Sequence, residues 1–361
     1  MKAVILAGGG GTRLWPISRK KRPKQFFSLI SEEPLVRDTY RRLLRKFSSD
    51  DIYFAVTPAF VDMLHDAFPE IEEDHIIVEP AKRDTGPAMG YAAAILELTA
   101  PDESFVFIPS DHWIGDEEKF LRSFDVADDL IQKTGKMLDI AIAPNFPSTV
   151  VGYTKIGDKH EETADSIKVY EFAGHVEKPD YETAKKFLDD GSYLWHANYY
   201  MWTPKLFMKS LERHAPNIGR VLRDIQSRLK DGDKAGAAEL FEDIPAISID
   251  YAMTEKMDPK DVLIIKGEFG WSDIGAWDTL HDQLKPEADE SENVTRGQVV
   301  AVESSNNLLF ASDDRLIGVV GMKDTVVVDE GDAVLVCPKC DAQKVKELLQ
   351  AIRKTGREDL L

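Results

Sequence analysis

The sequence predicts an α/β protein in which a mixed, mainly parallel sheet of the Rossmann-like type carries helices on both faces. A small C-terminal β unit, built like a short β-helix, and a terminal helix complete the prediction. Three observations support it. Short apolar runs alternate with amphipathic stretches up to about residue 145, these runs are almost continuously hydrophobic, and only brief valine-rich runs remain after about residue 290. Alternating strands and helices with apolar strands are typical of a parallel sheet covered on both faces.

The first half of the chain supplies the parallel strands. Strands are predicted at residues 2–6, 52–56, 75–78, 104–108 and 137–143. Amphipathic helices are predicted between them at residues 35–47, 59–68, 87–99 and 117–133. Ligands of such sheets bind at the carboxyl ends of the strands. The residues that follow the first and fourth strands are therefore the first candidates for a functional site.

The second half predicts an antiparallel extension of the same sheet, followed by a separate small unit. Strands at 167–176, 194–202 and 262–266 accompany helices at 181–190, 204–214, 217–230 and 274–284. The polar stretch 285–293 is the predicted linker, which divides the chain into a domain at 1–285 and a small domain at 286–361. Runs at 298–302, 316–320, 325–328 and 333–336 suit a few coils of a β-solenoid, and a final helix is predicted at 342–354, capped by Asp341.

The composition excludes some classes of partner. Acidic residues outnumber basic ones by 64 to 45, which gives a formal net charge of −19. Nucleic acid and anionic membranes would be repelled at long range, so a localisation or RNA-contact role for the basic run at 20–22 is the weaker alternative. No apolar stretch approaches the length of a membrane span, and we expect a soluble, cytoplasmic protein.

Two cysteines, Cys337 and Cys340, stand close together near the end of the chain. A redox pair or half of a zinc site are the alternatives to an ordinary structural role. Zinc would need two more ligands at suitable spacing, and the surroundings are not thioredoxin-like. We therefore expect neither chemistry.

A glycine-rich loop follows the first predicted strand, in the segment LAGGGGTRLWPISRKKRPKQ at 6–25. Such a loop lets backbone N–H groups approach a phosphate. Neither the P-loop nor the dinucleotide fingerprint fits, because the terminal Lys-Ser/Thr is missing and Arg13 stands where close helix packing requires glycine. Arg13 can bind phosphate as a bidentate donor, and Lys24 is a second cation. The alternative is a simple turn beside a solvated basic face.

The segment 6–26 resembles the signature L-A-G-G-x-G-T-R-L-x-P-x-S-R-x-x-x-P-K-Q-F of sugar-phosphate nucleotidylyltransferases, and specifically of mannose-1-phosphate guanylyltransferases. The resemblance extends over the whole chain. It recurs in EPAKRDTGPA at 79–88, PSDH at 109–112, VEKP at 176–179, SIDYA at 248–252 and GWSDIGAW at 270–277.

The resemblance implies a fold of the nucleotide-diphospho-sugar transferase type and a reaction in which GMP passes from GTP to α-D-mannose 1-phosphate. The products are GDP-mannose and pyrophosphate. The nucleophile is already an anion, so the site must neutralise charge and hold an in-line geometry. By resemblance, Asp111 and Asp273 hold Mg²⁺, which needs only one or two protein carboxylates besides phosphate oxygens. As alternatives, Asp111 turns the chain and Asp273 caps the helix at 274–284.

The resemblance also assigns the substrate contacts. Arg13 grips the departing pyrophosphate, and Lys24 binds near the α-phosphate. Nucleotide contacts fall to Leu6, Ala7, Gly8, Gly9, Gly11, Thr12, Thr85, Gly86 and Ser110. Sugar-phosphate contacts fall to Gly152, Glu177, Lys178 and Asn198. A salt-bridged surface pair is the alternative for Glu177 and Lys178, although the following proline predicts an extended, fixed Lys178.

The sequence departs from the family in the sugar pocket. Where relatives have Trp-Asn-Ser-Gly, this chain has Trp195-His196-Ala197-Asn198. Either Asn198 takes over the contact or the sugar is held differently. The residues themselves do not select guanine over thymine or uracil.

Alternative functions are transfer to another hexose 1-phosphate or from another NTP, and a catalytically silent nucleotide-sugar sensor. The presence of Arg13, Lys24, Asp111 and Asp273 together favours an enzyme. The valine-rich tail is interpreted as a packing or homodimer surface. Some relatives carry a further isomerase domain, and because this chain ends at Leu361 we expect a single activity.

Overall fold

The computed structural model describes residues 1–312 and 314–361. Its first half contains β1 (Lys2–Leu6), α1 (Leu35–Leu43), β2 (Ile52–Val56), α2 (Val61–Ala67), β3 (Ile76–Val78), α3 (Thr85–Thr99), β4 (Phe105–Pro109), β5 (Trp113–Ile114), α4 (Glu117–Thr134) and β6 (Met137–Ile142). β1 lies between β2 and β4 and pairs with both in parallel, and β3 pairs in parallel with β2. Because β1 and β4 lie side by side, the loops after Leu6 and Pro109 start at the same edge of the sheet.

The second half extends this sheet. It contains β7 (Tyr153–Glu162), β8 (Lys168–Val176), α5 (Tyr181–Asp190), β9 (Tyr193–His196), β10 (Met201–Trp202), α6 (Pro204–His214), α7 (Pro216–Lys230), α8 (Lys234–Glu242), α9 (Ile249–Ala252), β11 (Val262–Gly267), β12 (Trp271–Ser272) and α10 (Trp277–Leu284). β10 inserts antiparallel between β4 and β6, and β7 pairs antiparallel with β8 and β9. The ten-stranded mixed sheet agrees with the predicted antiparallel extension.

The single strand predicted at 194–202 is wrong. The chain leaves the strand conformation between β9 and β10, where Asn198 has a φ angle of +60°. Residues 197–200 stay alongside β6, because His196 pairs with Ala141 and Met201 with Leu138. The amide of Ala197 donates to the carbonyl of Ile140 between these pairs, at 3.2 Å. The ten-residue strand β7 was not predicted, because beyond Thr154 its residues are largely exposed and, apart from Ile156 and Gly157, polar, so they give no apolar alternation. Helix α8 was not predicted either.

The C-terminal unit contains β13 (Val294–Arg296), β14 (Gln298–Val302), β15 (Leu308–Phe310), β16 (Leu316–Val320), β17 (Thr325–Asp329), β18 (Val334–Pro338) and α11 (Val345–Lys354). β13, β15 and β17 stack in parallel, β14 and β16 form a second parallel pair, and β18 turns back antiparallel to β17. Two stacks of short parallel strands are the arrangement predicted as solenoid coils. Both cysteines are free.

Two details of this unit differ from the prediction. The last α-helix begins at Val345 rather than 342, after a 3-10 turn, and Lys344 takes the N-cap position. Asp341 is therefore no cap. Its carboxylate lies 2.8 Å from the Lys344 ammonium instead. The polar stretch at 285–293 is also more ordered than a bare linker, since Asn293 is buried and donates to the carbonyl of Ser304 at 3.0 Å.

A second apolar core joins the C-terminal unit to the loop that follows β1. Leu14, Trp15, Trp277 and Phe310 are buried together in this core. The indole of Trp277 donates to the carbonyl of Trp15 at 3.0 Å, and the indole of Trp15 donates to the carbonyl of Leu360 at 2.7 Å. The position of the loop therefore depends on packing from both ends of the chain. None of the helices in the described part of the chain is long and apolar enough to cross a membrane.

Candidate active site

A cleft of about 400 Å³ opens at the carboxyl ends of β1 and β4. Of the predicted site residues, it is lined by Leu6, Gly9, Gly11, Arg13, Lys24, Thr85, Ser110, Asp111, Gly152, Glu177, Lys178, Asn198 and Asp273. Gly8 lines an adjoining pocket. Ala7, Thr12 and Gly86 lie outside both linings. The structure thus brings most of the predicted residues to one place.

The glycine loop is shaped by close approach of its neighbours. The side-chain amide of Gln25 donates to the carbonyls of Ala7 at 2.9 Å and Gly9 at 2.8 Å. A Cβ atom on Gly8 would lie 3.1 Å from the Glu79 carboxylate, and one on Gly11 would lie 3.0 Å from the stem of Lys24. Neither glycine has a positive φ angle. These positions need glycine because a larger residue would displace the Glu79 or Lys24 side chain.

Asp111 and Asp273 are brought together by the short antiparallel pair β5 and β12. The Lys24 ammonium bridges their two segments: it lies 3.0 Å from Asp111 Oδ2 and donates to the carbonyls of Asp273 at 2.6 Å and Ile274 at 3.1 Å. All three N–H donors of Lys24 therefore have protein oxygens within reach. The alternative that Asp273 caps a helix is wrong, because α10 begins at Trp277 with Ala276 as its N-cap.

The turn after Asp273 is strained. Ile274 has a φ angle of +43°, in the left-handed region that β-branched residues rarely occupy. Such a conformation costs of order 1–3 kcal/mol and is found most often at functional sites. Here it allows two successive carbonyls to face Lys24, while the Ser272 hydroxyl accepts from the Ile274 amide at 3.2 Å.

The electrostatics favour an ionised Asp111. Burial opposes ionisation, but the Lys24 ammonium outweighs it and holds the pKa of Asp111 below its usual value. Burial lowers the pKa of the neighbouring His112 to about 4, so this imidazole is neutral at pH 7. Its Nδ1 accepts from the Trp271 indole at 3.1 Å. The side chains of Asp111 and Asp273 keep about a quarter of their surface exposed, at 25% and 27%. Two accessible carboxylates are hard oxygen donors of the kind that Mg²⁺ takes, so these residues fit such an ion.

Arg13 is held from the C-terminal unit. Its guanidinium lies 3.8 Å from Asp273 Oδ2 and donates to the side-chain oxygen of Gln343 at 3.3 Å. Gln343 in turn donates to Asp278 at 3.3 Å. Gln343 was not predicted, because it lies far from the signature in sequence and its own segment carries no motif.

Glu177 and Lys178 form an ion pair at the opposite end of the cleft. The prediction that Lys178 is extended is wrong: its φ angle is +45°, because the chain bends here and the ammonium turns back to Glu177. Burial alone would raise the pKa of Glu177, but the nearby His175 imidazole and the hydrogen-bonded Lys178 ammonium lower it to about 2. A Cβ atom on Gly152 would lie 2.5 Å from Glu177 Oε2, so glycine is required beside this carboxylate.

The departure at Asn198 has a conformational reason. Its φ angle of +60° lies in the region that favours glycine, and asparagine is among the residues that tolerate it best. Asparagine can therefore stand at a position with a glycine-like backbone, and the exposed side chain of Asn198 lines the cleft.

One further group could in principle hold a cation. Among the described residues, His175, Glu177 and Asp250 have ligand atoms within 4.8 Å of one another. Both carboxylates already have donors, since Lys178 pairs with Glu177 and the Tyr200 hydroxyl donates to Asp250 at 2.9 Å. This arrangement favours hydrogen bonding to a polar ligand over a second ion.

An apolar pocket of about 250 Å³ adjoins the cleft beside the glycine loop. Leu6, Ala55, Ile77 and Met89 contribute to its lining, together with the buried acid Glu79. Burial raises the pKa of Glu79 to about 7, against a partial opposing effect of Lys82. Its Oε2 atom has no hydrogen-bond partner within residues 1–312 and 314–361.

Thr85 and Gly86 border this region, but Thr85 is hydrogen-bonded to the first residue of α9 and Gly86 to the segment just before it. The Thr85 hydroxyl accepts from the Ile249 amide at 2.9 Å, and the Gly86 amide donates to the Ile247 carbonyl at 3.0 Å. Thr85 still lines the pocket, whereas Gly86 packs against Ile247. The position of Gly86 thus suits anchoring of α3.

The nucleotidyl transferase family model matches residues 2–290, which include every predicted site residue. The chain belongs to the nucleotidyl transferase family. A second model, the MannoseP isomerase/GMP-like beta-helix domain, matches residues 297–352. The predicted fold class is confirmed, including the solenoid-like C-terminal unit.

Relatives of this nucleotidyl transferase resemble it over nearly its whole length. The alginate biosynthesis protein AlgA of Pseudomonas syringae pv. tomato is 32% identical over 99% of this chain and 73% of that protein. A mannose-1-phosphate guanylyltransferase of Escherichia coli is 31% identical over 99% of this chain and 76% of that protein. A crystal structure described as a mannose-1-phosphate geranyltransferase from Thermus thermophilus has a TM-score of 0.84 at 29% identity, covering 98% of this chain and 99% of that one.

Proposed function

We propose that this nucleotidyl transferase transfers GMP from GTP to α-D-mannose 1-phosphate. The observation that carries the proposal is the position of Lys24, whose ammonium joins Asp111 to the turn at Asp273 directly beside the glycine loop. Cations, carboxylates and the backbone of the glycine loop therefore lie together at one edge of the sheet. Attack of one phosphate on another requires such groups to neutralise charge and to hold the phosphates in place. The relatives named as guanylyltransferases support the same reaction.

Glu79 supports guanine as the base. A carboxylate accepts two parallel hydrogen bonds, and guanine presents two adjacent donors, N1–H and N2–H₂. Uracil and thymine offer one N–H between two carbonyl oxygens, which a carboxylate would repel. The pocket around Glu79 is largely apolar, although Lys82, Asp84 and Thr85 also line it. The unpaired Oε2 of Glu79 is a buried acceptor in need of a donor.

In the proposed step a phosphate oxygen of mannose 1-phosphate forms a bond to the α-phosphorus of GTP. The bond from that phosphorus to the bridging oxygen of the β-phosphate breaks, and pyrophosphate leaves. No general base is needed, because the attacking oxygen is already ionised. Arg13 binds the departing pyrophosphate, Lys24 supplies positive charge near the α-phosphate, and Lys178 binds the sugar phosphate while Glu177 accepts from sugar hydroxyls.

We further propose that Asp111 and Asp273 hold Mg²⁺ during this step. Bound there, the ion would supply Lewis-acid stabilisation of charge on the phosphate oxygens. The chain itself keeps both acids available: Lys24 holds the pKa of Asp111 down, and the amide of Gly275 donates to Asp273 Oδ1 at 3.2 Å. In this scheme residues 1–285 form the catalytic domain, and residues 286–361 form a domain that positions Arg13 through Gln343.

The direct test is pyrophosphate release and GDP-mannose formation by the purified protein, across a grid of NTPs and hexose 1-phosphates, with and without Mg²⁺. We expect turnover with GTP and mannose 1-phosphate only when Mg²⁺ is present. Preference for another NTP or sugar would identify a different nucleotidylyltransferase. Tight substrate binding without turnover would identify the sensor.

We propose a homodimer formed through the open face of β14 and β16. Val300, Val302, Leu316 and Val320 are about half or more exposed there, on two adjacent strands. Burying such a patch against a second copy would remove apolar surface from water. Light scattering is expected to give twice the chain mass of 40.6 kDa, and Val302→Asp with Val320→Asp to return the monomer. We place the enzyme in the cytoplasm, where cell fractionation should find the GDP-mannose-forming activity.

A further inference from the structure

A buried polar network lies at the sugar end of the cleft, centred on His196, which is almost wholly buried but contributes to the cleft lining. Only 1% of the His196 side chain is exposed. Its Nδ1 lies 2.6 Å from Asp139 Oδ2, and its Nε2 lies 2.9 Å from the Tyr200 hydroxyl and 3.5 Å from Asp250 Oδ1. The Nδ1 atom of the imidazole thus pairs with Asp139 on β6, and the Nε2 atom points toward α9.

Asp250 lines the cleft at one end of this network, and His196 contributes to the same lining. Glu177 also lines the cleft, and the Tyr200 hydroxyl donates to Asp250 Oδ1 at 2.9 Å. The unpaired Nε2 of His175 lies 3.7 Å from both Asp250 Oδ1 and Glu177 Oε2. The two carboxylates therefore approach the same imidazole nitrogen at the sugar end of the cleft.

The charges around His196 come from every element packed against it. They are Asp139 on β6, His175 on β8 with Glu177 just after it, Tyr200 before β10 and Asp250 on α9, with Lys178 paired to Glu177. Burial alone would lower the pKa of His196, but Asp139, Asp250 and Glu177 raise it to about 9. The imidazole is therefore a cation at pH 7, with N–H donors at both nitrogens.

We propose that Asp250 is a sugar-binding residue and that His196 is the positioning residue that holds it, so that Asp250 and Glu177 together accept hydrogen bonds from the hexose hydroxyls. This inference rests on the proposed function and names the acceptors of the same sugar end. The His196 imidazolium holds the Tyr200 hydroxyl, which in turn holds the Asp250 carboxylate. The positive charge of the imidazolium also offsets the negative charge of the buried Asp250. When His196 loses its proton, one donor disappears and Asp250 is released.

The test compares steady-state kinetics of the whole enzyme across pH. In the wild type, the KM for mannose 1-phosphate is expected to rise about tenfold as pH passes through 9, because one charge-assisted hydrogen bond is lost. The KM for GTP should change less than about twofold. In Asp139→Asn, the anchor that raises the pKa of His196 is gone, and the same rise should occur at lower pH. A merely structural role for His196 would move neither midpoint.

A second variant separates this effect from misfolding. Replacing His196 by glutamine alone would leave Asp139 buried without its partner, so the double variant His196→Gln with Asp139→Asn replaces the ion pair by a neutral pair. This double variant should show a KM for mannose 1-phosphate about tenfold above wild type at pH 7, with no step near pH 9. Any rise that remains at still higher pH belongs to Lys178. A wild-type KM with a wild-type pH profile in the double variant would overturn the proposal.

Asp250→Asn tests the acceptor itself. It should raise the KM for mannose 1-phosphate about tenfold and leave the KM for GTP within about twofold. Calorimetric titration of mannose 1-phosphate into enzyme loaded with GTP in EDTA measures the same loss without turnover. If the wild type binds a different hexose 1-phosphate, the proposed substrate is wrong, and the same variants titrated with that sugar still decide the roles of Asp250 and His196.

Discussion

Replacing Lys24 by methionine is expected to lower kcat by about 10²-fold or more, as for loss of a preorganised charge stabiliser. The methionine keeps the hydrophobic stem that packs against Gly11 but removes the ammonium, which lies 3.0 Å from Asp111 and donates to two backbone carbonyls. The charge near the α-phosphate and the bridge between the segments of Asp111 and Asp273 are lost together. Rates of pyrophosphate release at saturating GTP and mannose 1-phosphate measure the effect.

Lys20 offers the matched control. It lies four residues before Lys24 in the segment 6–25 but is exposed and does not line the cleft, so Lys20→Met should keep wild-type kcat. Arg13→Ala should also lower kcat by about 10²-fold, because it removes the guanidinium that binds the departing pyrophosphate. Unchanged turnover in a folded Lys24→Met protein, with its thermal midpoint near that of the wild type, would remove Lys24 from the mechanism.

The sheet edge that forms the site could be predicted from local hydrophobic patterns in the sequence. β1 and β4 are apolar and almost wholly buried, so their positions could be predicted from hydrophobicity, and their parallel pairing brings Leu6 and Pro109 together. The loops after these strands were therefore expected to meet. The convergence of Asp111 with Asp273 was suggested only by resemblance, because the pairing that produces it involves strands of two residues, too short to leave a pattern.

The residues that the sequence did not reveal act through tertiary contacts. Gln343 contacts Arg13, which lies 330 positions earlier in the chain. His196, Asp139 and Asp250 come together from three different elements. Hydrophobic periodicity carries no information about such polar contacts. Asn198 was recognised as a departure from the family signature, but only the structure shows its φ angle of +60°, which glycine and asparagine adopt more readily than other residues. β7 escaped prediction for a related reason, since its outer residues contact solvent rather than a core.

Replacing Glu79 by glutamine is expected to reduce the preference for GTP over UTP by about 10²-fold or more in kcat/KM, from about 10⁴-fold in the wild type. The isosteric amide keeps one acceptor but places an NH₂ group opposite a guanine donor, so one of the two parallel hydrogen bonds becomes a repulsion. In the wild type, a base other than guanine leaves the buried Glu79 carboxylate without its hydrogen-bond donors, and this lowers kcat/KM for that base. Initial rates with each NTP at a fixed mannose 1-phosphate concentration give the ratio.

The pH dependence provides an independent check on the same carboxylate. Burial raises the pKa of Glu79 to about 7, and only the ionised form accepts from both guanine donors. The wild-type kcat/KM for GTP should therefore rise as pH increases through 7, and Glu79→Gln should lack this rise. UTP corrects for titration of the triphosphate itself, and Glu72→Gln, an exposed acid earlier in the chain, serves as the control variant. A GTP to UTP ratio unchanged by Glu79→Gln at all pH values would mean that other groups read the base, because neutralising the acid that pairs with guanine must change that ratio.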